Sequence, residues 1–130
     1  EGWGEYTFTL MRQMVTSNQG VFHRVTEKVF KGQFVQDLPL GKGFMITTTT
    51  DSQNNQEQFV KVTYDVGFYR EERTVGEGVR FTYTKTHNGW KEVCTRTDGG
   101  VCSGLVVGRS YGIWLCDCLG LDSYPVPPSL

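Results

Sequence analysis

The chain of 130 residues contains no alanine. Alanine is the strongest helix former and among the commonest residues of soluble proteins, so its absence argues against a helical domain. Histidine is nearly missing too, with only His23 and His87 present. That scarcity, together with the lack of paired carboxylates at ligand spacing and of a Gly-x-Ser-x-Gly elbow, leaves no metal centre and no nucleophilic triad. No apolar run reaches the roughly 18 residues a membrane-spanning helix needs, so membrane insertion is not expected. No basic stripe exists either: 13 basic and 14 acidic residues are mixed along the chain, for a net charge of −1. Nucleic acid is therefore not an expected partner. There is no Asn-x-Ser/Thr sequon, and Gly41-Lys42-Gly43 lacks the surroundings of a phosphate-binding loop. No cofactor is implied.

What is present favours strands. Thr, Val, Gly, Phe and Tyr recur in alternating apolar and polar order, which suits a pleated, half-buried surface. Hydrophobic residues make up 38% and charged residues 21%, the balance of a folded domain. We read residues 1–122 as a single β-rich domain and residues 123–130 as a Pro-rich extended tail or linker. The Pro125-Val126-Pro127-Pro128 stretch has no flanking Arg to make it a recognition motif. The opening at Glu1, without Met or an apolar leader, is what a mature, processed chain would show.

The fold expected is all-β: about eight mostly antiparallel strands forming a sandwich or small barrel, disulfide-tied near the C-terminus. Tyr6, Phe8, Leu10 and Met14 share one parity and predict a half-buried strand over Glu5–Val15. Val21–Val35 fits both a helical and an extended pattern; its β-branched and aromatic residues favour a long strand. Leu38–Gly43 reads as a loop, Phe44–Thr50 as a short strand and Phe59–Arg70 as a strand. Gly76-Glu77-Gly78 reads as a turn. Val79–His87, Trp90–Thr97, Val101–Val107 and Tyr111–Cys118 complete the set. Asn88-Gly89 is the strongest hairpin signal, because both residues tolerate the positive φ of a type I′ turn. That loop pairs Lys85 with Glu92 and Tyr83 with Cys94. The next turn is either Asp98-Gly99 or Thr97-Asp98-Gly99, and a Gly108-Arg109-Ser110 loop would bring Cys102 opposite Cys116.

Four cysteines, Cys94, Cys102, Cys116 and Cys118, cluster late in the chain. An even count suggests two disulfides and an oxidising compartment. Their spacing lacks the paired knuckles of zinc modules. A Cys94–Cys102 bridge would leave Cys116 to join Cys118, and i, i+2 residues of a strand sit at or beyond the Cα separation of about 4.4–6.8 Å a disulfide accepts. Crossed linkages follow, each of Cys94 and Cys102 to one of Cys116 and Cys118, in an order the sequence leaves open. A strained Cys116–Cys118 bridge would instead mean redox work.

Most aromatics alternate within strands and read as core; Trp3, Trp90 and Trp114 are the candidate binding aromatics. The function expected is that of a secreted or extracellular, non-catalytic interaction or structural domain, binding a protein partner or self-assembling. The alternative is a β-barrel carrier of a small apolar ligand, followed by a small secreted enzyme or redox-active thiol protein.

Overall fold

The computed structural model describes residues 2–18, 20–71, 73–121 and 124–128. The domain boundary expected at residues 122 and 123, and Asp122 itself, lie outside the described residues. Seven strands form one antiparallel sheet in strict chain order: β1 (Gly2–Ser17), β2 (Gly20–Val35), β3 (Leu38–Gln53), β4 (Gln56–Arg70), β5 (Arg73–Thr86), β6 (Gly89–Asp98) and β7 (Val101–Val107). Helix α1 (Arg109–Cys118) follows. The all-β, antiparallel reading holds. The described residues form a single sheet with β1 and β7 as its two edges, neither a pair of packed sheets nor a closed ladder.

Tight turns enforce the meander. Gln36-Asp37 (φ 54° and 64°), Asn54-Asn55 (55° and 62°) and Gly99-Gly100 (60° and 84°) are two-residue connections with both residues left-handed. This is the primed turn geometry that matches the right-handed twist of paired strands. Val21–Val35 is a strand, as favoured. Leu38–Gly43, expected as a loop, is the start of β3, and Gly76-Glu77-Gly78, expected as a turn, lies inside β5. Both segments carry register irregularities, between Gly32 and Phe34 of β2 against β3 and between Val66 and Phe68 of β4 against β5. Such bulges absorb glycines without ending a strand.

The Asn88-Gly89 hairpin exists, but in a register two residues away from the one expected. The loop is His87-Asn88, Thr86 faces Gly89, Lys85 faces Trp90 and Phe81 faces Cys94. Lys85 pairs instead with Glu57 of β4 at 3.0 Å. Gly89 alone of the former turn pair is left-handed, at φ 112°. Gly89→Val is therefore expected to destabilise the domain by about 1–3 kcal/mol through backbone strain. Lys85→Ala is expected to cost only a few tenths of a kcal/mol, because its ion pair is half-exposed. Thermal melts of the two variants rank them; a neutral Gly89→Val would remove the strain argument.

The last expected strand, Tyr111–Cys118, is a helix instead. Gly112 and Cys116, four apart, are buried, while Trp114, Asp117 and Cys118 face outward. That is a helical stripe. The N-terminal end has no side-chain cap and no acidic first turn, so packing holds this helix more than propensity does. Its C-terminal end is a Schellman motif. The Leu121 amide donates to the Cys116 carbonyl at 3.1 Å, the Gly120 amide donates to that of Asp117 at 3.0 Å, and Gly120 is left-handed at φ 70°. Leu121 then buries its side chain in the core.

The sheet's two faces differ. The helix-covered face holds the main core: Phe44, Val62, Val66, Val79, Phe81, Tyr83 and Cys94 meet Cys116 and Leu121. Arg109 clamps the helix to it. Its Nη1 donates to the Tyr83 hydroxyl at 2.9 Å and to Glu92 at 2.8 Å, and its Nη2 donates to the Pro125 carbonyl at 2.6 Å. Pro125 is fully buried, so this part of the tail lies against the domain. Burial, then Glu92, holds the Tyr83 phenol protonated far above its ordinary range. The opposite face is polar, with a small apolar cluster of Phe30, Met45, Tyr69 and Phe34 near one end.

Candidate functional site

The expected disulfides are absent: all four cysteines are free. The register supplies the reason. Cys94 lies opposite Phe81 on the helix-covered face. Cys102 lies opposite Thr97, and Thr97 lies opposite Gly78, on the other face. There Arg80 Nη1 donates to the Cys102 sulfur at 3.1 Å. Cys102 therefore cannot reach α1 through the sheet. Cys116 and Cys118 are two residues apart on a helix, roughly 200° around its axis. Cys116 is buried and Cys118 exposed. Burial, with Glu92 next, pushes the Cys94 thiol up to about 11. Burial, with Asp117 next, pushes the Cys116 thiol up to about 11. Near neutral pH both are protonated and poor nucleophiles. Alkylation of the unreduced native protein should modify Cys102 and Cys118 quickly, and Cys94 and Cys116 only after denaturation. Fewer than four reactive thiols in denaturant would restore a disulfide.

The three tryptophans do not converge. Trp3 on β1 lines a hollow of about 300 Å³ with Lys31, Phe44 and Leu121. Trp90, at the start of β6, packs against the main core, and its indole Nε1 is buried without a hydrogen-bond partner. Trp114 is exposed on α1 and leans on Tyr111 at a ring separation of 5.5 Å. They make no common apolar cavity.

The polar face carries ordered rows set by register. Thr47, Thr63 and Thr82 are neighbours across β3, β4 and β5. Asp65 accepts from Arg80 Nε at 2.6 Å, and burial raises its carboxyl while Arg80 partly offsets that rise. Arg24 holds Asp51 with two bonds of 2.7 and 2.9 Å, which keeps that carboxyl below its ordinary value. Lys28, Asp65, Tyr69, Arg73 and Arg80 line a hollow of about 350 Å³ on this face. The Tyr69 hydroxyl is spent on the Asp65 backbone carbonyl at 2.5 Å. Among the described residues, no group of three or more His, Cys, Asp or Glu gathers to hold a metal.

The feature without an internal explanation is the edge strand β1. It runs 16 residues and pairs with β2 on one side only. Trp3 (50%), Tyr6 (48%), Met11 (49%) and Met14 (59%) all stand exposed on it. The half-buried strand expected from one-sided parity is not what forms. The register of β1 on β2 shifts between Thr7 and Thr9, so Tyr6 sits beside Phe30 and Met14 beside His23, on opposite faces. The side chains of Phe8 and Leu10 lie outside the described residues. Natural edges are blunted by brevity, Pro, Lys or a bulge; of these β1 has only the irregularity between Thr7 and Thr9. The other edge is blunted. β7 has seven residues, its pairing with β6 is interrupted between Thr95 and Thr97, and Gly104 is left-handed at φ 83°. Sequence reasoning placed β1 correctly but had no signal for its position in the sheet. The one available hint was the near-absence of charge in a long strand.

Comparison of the chain with protein-family models, with curated proteins and with solved structures gives no match.

Proposed function

We propose that this chain is a non-catalytic β-sheet interaction domain whose working surface is the free edge of β1. The observation that carries this reading is the long β1, paired on one side only, with Trp3, Tyr6, Met11 and Met14 exposed on it. An unpaired strand offers a row of backbone amides and carbonyls to an incoming strand, and exposed alternate side chains give that pairing its selectivity. Trp3, Tyr6 and the two methionines supply large, adaptable contact area of the kind enriched in protein interfaces. The thiols add no redox chemistry to this picture, since two are buried and the other two lie on different elements.

The test is to place charge on each edge in turn. Met11→Lys with Met14→Lys should leave the fold intact and abolish association of the native protein, read by sedimentation. Leu105→Lys with Val106→Lys, on β7, should leave association unchanged. Association that survives the β1 lysines, or is lost with the β7 lysines, would place the working surface elsewhere.

A further inference from the structure

We infer that the strand received by β1 is β1 of a second copy of this chain, antiparallel and in one defined register. This rests on the edge reading above and names its partner. Glu5 and Arg12 are the only charged residues of Gly2–Ser17. They stand equally far, in residues, from the junction of Phe8 and Thr9, where the register of β1 on β2 shifts. Set two copies antiparallel with Glu5 facing Arg12 of the other copy, and Trp3 faces Met14 while Tyr6 faces Met11. A two-fold axis through the sheet repeats each of these pairs. The result is a continuous sheet with two cross-strand ion pairs flanked by sulfur–aromatic contacts, both favourable when residues stand directly opposite.

A regular strand could not do this. Odd and even residues of a strand point to opposite faces, while residues directly opposite across a ladder share one. Glu5 and Arg12 differ in parity, so in a regular strand they would point to different faces. The bulge removes the conflict. Before it, Glu5 lies beside Lys31 and Trp3 beside Gln33; after it, Arg12 lies beside Val25 and Met14 beside His23. All four neighbours are odd positions of β2, so Trp3, Glu5, Arg12 and Met14 share one face. Tyr6 lies beside Phe30 and Met11 beside Thr26, both even, so these two share the other face. The irregularity that would blunt an ordinary edge makes the two halves of β1 complementary to each other. Glu5 already contacts Lys31 within the chain at 3.1 Å, and Arg12 of the partner copy would complete a three-member charge cluster on the rim. The strand β7 offers no equivalent, being uncharged and irregularly paired.

The experiment is a charge-reversal cycle on the full chain, read by sedimentation equilibrium. The parent should be a dimer. Arg12→Glu sets like charges opposite each other twice and should weaken dimerisation at least about tenfold. Glu5→Arg should act in the same direction. The double variant Glu5→Arg with Arg12→Glu should recover most of the loss. A second arm reads the register directly in a Cys102→Ser, Cys118→Ser background. Trp3→Cys mixed with Met14→Cys should cross-link under mild oxidation. Neither variant alone should do so, because like positions would lie about 35 Å apart at about 3.3 Å per residue. A monomeric parent, charge variants without effect, or cross-linking of Trp3→Cys alone would each overturn this pairing. Dimers insensitive to charge reversal but lost with the β1 lysines would refute the register and leave the edge reading standing. Dimers insensitive to both would refute both.

Discussion

Gly112→Ala is expected to destabilise the domain by about 3 kcal/mol, the upper part of the range for overpacking a core. Helix propensity alone predicts the opposite sign, since alanine is favoured over glycine in a helix interior by about 1 kcal/mol. The two effects compete, and the geometry decides between them. A Cβ at Gly112 would stand 2.2 Å from Cζ and 2.6 Å from Cε1 of Phe81. Phe81 cannot yield: it is completely buried, with the Arg109 guanidinium 5.6 Å from its ring centre. The helix would have to lift, separating Cys116 and Leu121 from the sheet and loosening the Arg109 clamp on Tyr83, Glu92 and Pro125. Ser110→Ala, on an exposed position of the same helix, should stay within about 0.5 kcal/mol. Chemical denaturation of both variants separates the contributions. A Gly112→Ala variant as stable as the parent would mean that α1 does not dock against Phe81.

That glycine also explains why the helix was illegible in the sequence. The segment has no alanine, no N-terminal side-chain cap and no acidic first turn, and its Tyr, Ile and Trp read as strand formers. What makes it helical is a partner surface, the Phe81 ring, that accepts only a glycine, and no local pattern reports that. The strands themselves were legible, because period-2 alternation belongs to the segment alone; β7 was placed to the residue. Turn registers were less so. Asn88-Gly89 places the loop one residue late, which moves the register by two, whereas the chain uses glycine at one end of the turn and pairs Thr86 with Gly89. The shift is even, so the faces were right and the opposing residues wrong. The crossed disulfides fail for both reasons. They need Cys116 and Cys118 on a strand, with Cys94 and Cys102 both within its reach. Cys116 and Cys118 lie on a helix and turn away from each other, and the two-residue Gly99-Gly100 turn pairs Cys102 with Thr97, on the face that α1 does not cover. The edge position of β1 is a property of the whole sheet, so its sequence could carry only the ingredients: length, exposed aromatics and two opposite charges.

Phe30→Ala is expected to cost about 3–5 kcal/mol, the range for removing a fully buried aromatic. Phe30 is wholly buried although it lies on the face that α1 does not cover. Its burial comes from edge-on contacts with Tyr69 at 4.9 Å and Phe34 at 5.3 Å, and from the paired glycines Gly32 and Gly43 beneath its ring. A Cβ at Gly43 would meet Phe30 Cζ at 2.6 Å and the Lys31 carbonyl at 2.7 Å. The ring and the backbone therefore both demand glycine there, and the two demands can be separated. Gly43→Ala in the parent meets both obstacles. In the Phe30→Ala background the ring is gone, so the second substitution should cost less than it does alone. It should still cost something, because the Lys31 carbonyl remains. The double variant is thus expected to be more stable than the two single losses would predict by addition, a coupling characteristic of residues in direct contact. Strict additivity would place the Phe30 ring away from the glycine pair. A double variant no less stable than Phe30→Ala would mean that the backbone of β2 and β3 is free to part at Gly32 and Gly43, and that the ring alone excludes a side chain there.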